Sequence, residues 1–155
     1  MKSRILPVLC GLALAGTAAL AQTAPSADPI AGIVKSVRGD VQMFDVNGAL
    51  RPASAGDAMA PIDRLITGAD SGASVVLRDG TTLVVGPSSR LDLKDFHFDA
   101  TTQEGGMFVT LLRGSLRMVT GLIGKAHPEA VRVQTQTATI GIRGTDFIVQ
   151  ADEQP

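Results

Sequence analysis

The sequence predicts an all-β fold: a single compact domain of short strands, rolled or β-solenoid-like, preceded by a helical signal peptide. Three observations carry this reading. From Ile33 onward, short β-branched and aliphatic runs alternate with Gly, Asp, Asn and Pro at intervals that suit strands and turns. Beyond the first 21 residues, no window repeats its apolar positions with a helical period. The stretch from Val131 to Thr139 alternates in twos, with Val131, Val133, Thr135, Thr137 and Thr139 on one face and Arg132, Gln134, Gln136 and Ala138 on the other.

The segments follow in order. Lys2 and Arg4, the apolar run Ile5 to Leu20 and the small residues before Gln22 have the layout of a secretory signal peptide over residues 1–21, with cleavage expected after Ala21. An uncleaved anchor is the competing reading. It is weakened by Pro7 and by a run at the short end of the ~17–25 residues a span needs. Residues 22–32 read as a flexible tether, 33–150 as the β domain and 151–155 as a polar tail. A chain of 155 residues allows one such domain with a real core, and not two. Stable membrane insertion after cleavage is not expected.

Within the domain, the predicted strands are Val41 to Met43, Val75 to Leu77, Leu83 to Val85, Leu91 to Leu93, Met107 to Leu112, Leu116 to Val119 and Val131 to Ile142. In LDLKDFHFD the apolar parity changes from Leu91 and Leu93 to Phe96 and Phe98. That change predicts a bulge near Lys94-Asp95, turning the strand toward the loop from Asp99 to Gly106. An aliphatic residue, Arg, Gly and a polar residue recur at Val37 to Asp40, Leu112 to Ser115 and Ile142 to Thr145, with a relative at Leu77 to Gly80. The spacing is too irregular for a strict repeat. It suits tight corners, where glycine accepts positive φ without steric cost.

Composition excludes several functions. The single cysteine, Cys10, falls in the leader, so the exported chain relies on packing and not on disulfides. Without Lys2 and Arg4, the 14 basic residues fall to 12 against 15 acidic ones, and there is no Trp or Tyr. Such a chain has neither the basic footprint nor the stacking platform that nucleic acid requires. Only His97 and His127 are present, and no Gly-x-Ser-x-Gly elbow presents a serine, so no enzyme activity is expected. Gly121 to Ala126 resembles a phosphate loop but lacks its spacer and the Ser or Thr after Lys125. Arg38-Gly39-Asp40 reads as a turn and not as an adhesion tripeptide. No cofactor is expected. His97 with Asp95 and Asp99 offers one histidine and two carboxylates, a set more often found on a solvated face than around a metal.

Several stretches taken in order resemble the FecR domain of bacterial envelope regulators. They are Gly39-Asp40-Val41, Gly56-Asp57, the segment from Ile62 to Leu93 with Asp63, Thr67-Gly68, Asp79-Gly80 and Ser89, then LLRGSLRMVTG and TQTATIGIRGTDFIV. The resemblance runs from Ile33 to Val149. It implies a periplasmic β-rich domain, solenoid-like in outline, that takes part in transmembrane signalling and is not an enzyme. In the best-known members of that family the domain follows a cytoplasmic segment controlling a sigma factor and relays the state of an outer-membrane receptor. No such segment is expected ahead of the leader here, so the module and its compartment are what the resemblance implies, without sigma-factor control by this chain alone.

Arg143 is the residue whose role the sequence leaves open. As a structural corner, with Asp57, Asp63 and Gly144, it would pair with Asp57, Asp63 or Asp146. As a partner-binding site, Arg143, Thr145 and Asp146 would be exposed, with the arginine fork holding a carboxylate of the partner. The expected partner is an unidentified envelope protein, such as a membrane receptor or regulator. The alternative is a structural or self-assembling β protein, a homo-oligomer built by pairing an uncovered last strand with another copy.

Overall fold

The computed structural model describes residues 29–152. The signal peptide, its cleavage point, Cys10, the tether up to Asp28 and the last three residues of the tail lie outside the described residues. Strand makes up 54% and helix 6%, which places the domain in the all-β class. The chain passes through β1 (Gly32–Arg38), β2 (Val41–Phe44), β3 (Leu50–Pro52), β4 (Ala58–Met59), β5 (Arg64–Thr67) and β6 (Gly72–Leu77). It continues through β7 (Thr82–Val85), β8 (Arg90–Phe98), β9 (Gly105–Val119), a short helix α1 (Leu122–Ala126) and a 3-10 turn (Pro128–Ala130). The last strands are β10 (Val131–Gln134), β11 (Thr139–Gly141) and β12 (Asp146–Ala151).

These strands form one sheet, curled into a half-barrel with two wings. One wing runs β4, β1, β6, β7, the C-terminal half of β9 and β12. The other runs β3, β2, β5, β8, the N-terminal half of β9, β10 and β11. Every pair is antiparallel except β9 with β10. Of the two outlines the sequence allows, the sheet is therefore rolled.

The wings close on one another because alternate residues of each strand are apolar. Val75, Leu77, Leu83, Val85, Leu116 and Met118 from one wing join Met43, Leu65, Leu91, Leu93, Val109 and Leu111 from the other in a single buried cluster. Each such side chain contributes roughly 1.5–3 kcal/mol when fully buried. The chain passes from wing to wing at corners that lie side by side. The Gly68 N–H donates to the Asp40 carbonyl at 2.9 Å, Ser88 N–H to the Gly68 carbonyl at 2.9 Å, and Gly86 N–H to the Ser115 carbonyl at 2.9 Å. Hydroxyls fill the seam: Asp40 N–H donates to Ser71 Oγ at 2.9 Å, Ser89 N–H to Thr67 Oγ1 at 2.9 Å, and Ser115 N–H to Ser89 Oγ at 3.0 Å. The recurrent Arg-Gly motif falls at turns: Gly39, Gly114 and Gly144 lie where the chain changes wing, Gly80 lies in the β6–β7 hairpin, and all four have positive φ.

The predicted bulge is present. The pairing of β8 with β9 slips between Leu93 and Asp95, leaving Lys94 as the extra residue and restoring Phe96 to the core. Five sequence expectations need correction. Val131 to Ile142 is a hairpin, β10 with β11, because Thr135 Oγ1 accepts the N–H of Ala138 at 3.1 Å and closes a turn without Gly, Pro, Asn or Asp. Met107 to Leu112 and Leu116 to Val119 belong to one strand, β9, bent at Gly114 with φ +90°. Leu122 to Ala126 forms α1, with Gly121 at its N-cap, and its five residues are too few to display a helical period. Ala31 and Gly32, assigned to the tether, lie within the fold: Ala31 is fully buried and its N–H donates to the Met59 carbonyl at 2.8 Å. At the other end, Ala151 belongs to β12 and not to the tail.

Candidate functional site

The segment from Thr139 to Ala151 builds the corner around Arg143. After β11, Ile142 is buried while Ile140 and Phe147 pack half-buried against the core, so the apolar residues anchor the segment inward. Gly144, at φ +141°, turns the chain into β12. The Thr145 carbonyl then accepts the Thr120 N–H at 2.8 Å and starts the pairing with β9. Arg143 is left exposed at the turn.

None of the three carboxylates expected to tie Arg143 down does so. Asp57 binds Arg51 Nη1 at 2.7 Å and accepts the Ser54 N–H at 2.9 Å. The Ser54 amide, against slight desolvation and with help from Arg51, holds its carboxyl below the ordinary range. Asp63 is buried and accepts the Ala60 N–H at 2.7 Å. Asp146 takes a two-pronged bond from Arg117, Nε to Oδ1 at 2.9 Å and Nη2 to Oδ2 at 2.6 Å, and these bonds lower its pKa. Among the described residues Arg143 makes no hydrogen bond or ion pair. The corner thus brings together Arg143, Gly144, Thr145 and Asp146. Asp57 and Asp63 lie outside it, directly before β4 and β5.

Two grooves meet at Arg143. One, of about 380 Å³, is lined by residues of β11, β12 and the turn between them, Ile140, Ile142, Phe147, Ile148 and Val149, together with Arg143. The other, of about 620 Å³, opens behind Gly141 toward Pro128 and Glu129. Elsewhere, His97 Nδ1 lies 3.5 Å from Asp95 Oδ2 on an exposed strand face. Asp99 instead accepts the N–H groups of Thr101 and Thr102 at 2.7 and 3.1 Å, closing its own turn. Among the described residues, no group of three or more His, Cys, Asp or Glu side chains is placed to hold a metal ion.

The sequence reading gave no role to two buried polar clusters. Asp79 Oδ1 accepts the Thr81 N–H at 3.0 Å and Oδ2 accepts the Thr81 hydroxyl at 2.7 Å. Thr81 Oγ1 in turn accepts the Gly121 N–H at 2.9 Å, and the Asp79 carbonyl accepts the Leu122 N–H at 2.8 Å, which latches α1 to the corner before β7. Asp92 is buried and takes a forked bond from Arg64 at 2.5 and 2.7 Å, with Lys94 Nζ at 3.0 Å. Burial opposes its charge, but the bonds from Arg64 and Lys94 outweigh it and hold the carboxyl below the ordinary range. The dipeptide Asp79-Gly80 is the one signal for the first cluster. For the second there is none, because Arg64 and Asp92 lie 28 positions apart.

The family described as FecR protein matches residues 63–155. The chain belongs to the FecR family. The match begins at Asp63 and so takes in the seam residues Thr67, Ser89 and Ser115, the Asp79 latch and the Arg143 corner, while β1 to β4 precede it. A solved structure titled "Cell surface anchoring domain" is 25% identical, covering 41% of this chain and 83% of that chain, with a TM-score of 0.39. No curated protein matches. FecR proteins are typically associated with the cell envelope, and among the described residues no helix is long and apolar enough to cross a membrane.

Proposed function

We propose that this chain is an exported, non-enzymatic FecR module that works in envelope sensing or signal relay by binding a protein partner. The family match supports a signal-transduction role. The observation that carries the partner reading is Arg143: an exposed arginine beside two grooves, on a corner whose own carboxylate, Asp146, is engaged by Arg117. A guanidinium presented this way suits a carboxylate from outside the chain, through its forked pair of donors. Export rests on the leader-like residues 1–21 and compartment on the family's usual place in the envelope.

Crosslinking in intact cells, followed by capture of the tagged full chain, tests this reading. Recovery of a distinct envelope protein is the expected result. Recovery of the chain alone, at every crosslinker concentration, would replace it with the self-assembling β protein, a reading favoured by the unpaired outer edge of β12.

A further inference from the structure

Among the described residues the half-barrel has four edge strands, and three of them are poor templates for pairing. β3 has three residues and includes Pro52, β4 has two, and β11 has three with Gly141 at its end. β12 differs. It runs six residues, Asp-Phe-Ile-Val-Gln-Ala, with no Lys, Pro or Gly to blunt it, and pairs only with β9. Natural edges are normally shortened, charged or interrupted to prevent strand addition, so an edge left long and plain is available for it.

The register shows which groups are available. Thr120 N–H donates to the Thr145 carbonyl opposite it, and the same register continues through Phe147 with Met118 and Val149 with Leu116. Backbone bonds in an antiparallel pair fall on every second residue, so Phe147, Val149 and Ala151 face β9. The N–H and C=O groups of Ile148 and Gln150 therefore point away from the sheet. The Ile148 side chain is itself 68% exposed. A strand laid on this edge would send alternate side chains into the groove of about 380 Å³ lined by Ile140, Ile142, Phe147 and Val149. Arg143 is the one charged residue in that lining, and among the described residues it has no partner.

We infer that the outer edge of β12 is a strand-addition site. Its occupant is an extended segment of a partner protein, with apolar residues at alternate positions and a carboxylate that meets Arg143. Main-chain bonds to Ile148 and Gln150 supply the grip, and the apolar groove with its single cation supplies the selection. This rests on the reading of the chain as a partner-binding module and names how that partner is held.

The test places a photo-crosslinking amino acid at position 148 of the full chain in its own cells, with Val46 and Val84 positions as exposed apolar controls. The expected result is a light-dependent adduct from position 148 to a different protein, mapping to a segment that carries Asp or Glu between apolar residues. Its yield falls at least tenfold in Gln150→Pro, which removes an outward N–H without touching the bonds to β9, and in Arg143→Glu, while both melt like the parent. An adduct that ignores both substitutions overturns the proposal. So does an adduct to a second copy of this chain. Adducts through positions 46 or 84 alone overturn the edge site and leave the partner-binding reading standing; no adduct from any position removes both.

Discussion

Ser89 Oγ accepts the Ser115 N–H at 3.0 Å and occupies the space where a Cβ on Gly114 would stand. This contact is the point at which β9 bends from one wing into the other, within a single strand. The bend needs a left-handed backbone and a missing side chain at the same position.

Gly114→Ala is therefore expected to destabilise the domain by about 2 kcal/mol or more, adding backbone strain to a clash with the Ser89 backbone. The added Cβ would lie 2.5 Å from the Ser89 Cα, so rotating the serine hydroxyl cannot relieve it. Urea unfolding of the variant against the parent measures this. An unchanged midpoint would mean that the bend is not where the structure puts it.

Asp79→Ala removes an acceptor from both the N–H and the hydroxyl of Thr81, inside a corner that is almost fully buried. The expected cost is about 1–3 kcal/mol, with the loss centred on α1. Hydrogen exchange should quicken at Gly121 and Leu122 before it does in β6 or β7. Thr81→Val tests the same latch from its other side, removing the hydroxyl that accepts the Gly121 N–H and donates to Asp79.

Acid should weaken the tie between β5 and β8. The Asp92 carboxyl titrates below its ordinary value of 3.8 in the folded chain, so its contribution is whole above that pH and is lost as pH falls through the lower folded value. Asp92→Asn should cost about 1–2 kcal/mol at neutral pH, less than a fully buried pair because the Arg64 side chain is 36% exposed. The gap between parent and variant should narrow below about pH 4. Unfolding curves at about pH 7, 4 and 2.5 show whether it does.

The all-β class and the bulge at Lys94 were legible because both are written in apolar parity, which strands must obey to bury one face. The corners were legible through their glycines. The β10–β11 hairpin was not, because Thr135 to Ala138 keeps alternating like a strand while a threonine hydroxyl closes the turn. The fate of Arg143 was only half legible. Sequence placed it at a corner, but nothing local shows that Asp146 is taken by Arg117, 29 positions earlier on β9. Ion pairs across a sheet follow its register, and single-sequence patterns do not carry that information.

The proposed partner binding depends most directly on Arg143 as a contact residue and not a structural tie. The deciding measurement is the amount of envelope partner captured by Arg143→Ala relative to the parent, with thermal melts of both proteins run alongside. The expected result is melts that agree within ~0.5 kcal/mol, as for a surface residue, together with loss of most of the captured partner. Equal capture by the two proteins, or a variant that fails to fold, would contradict it.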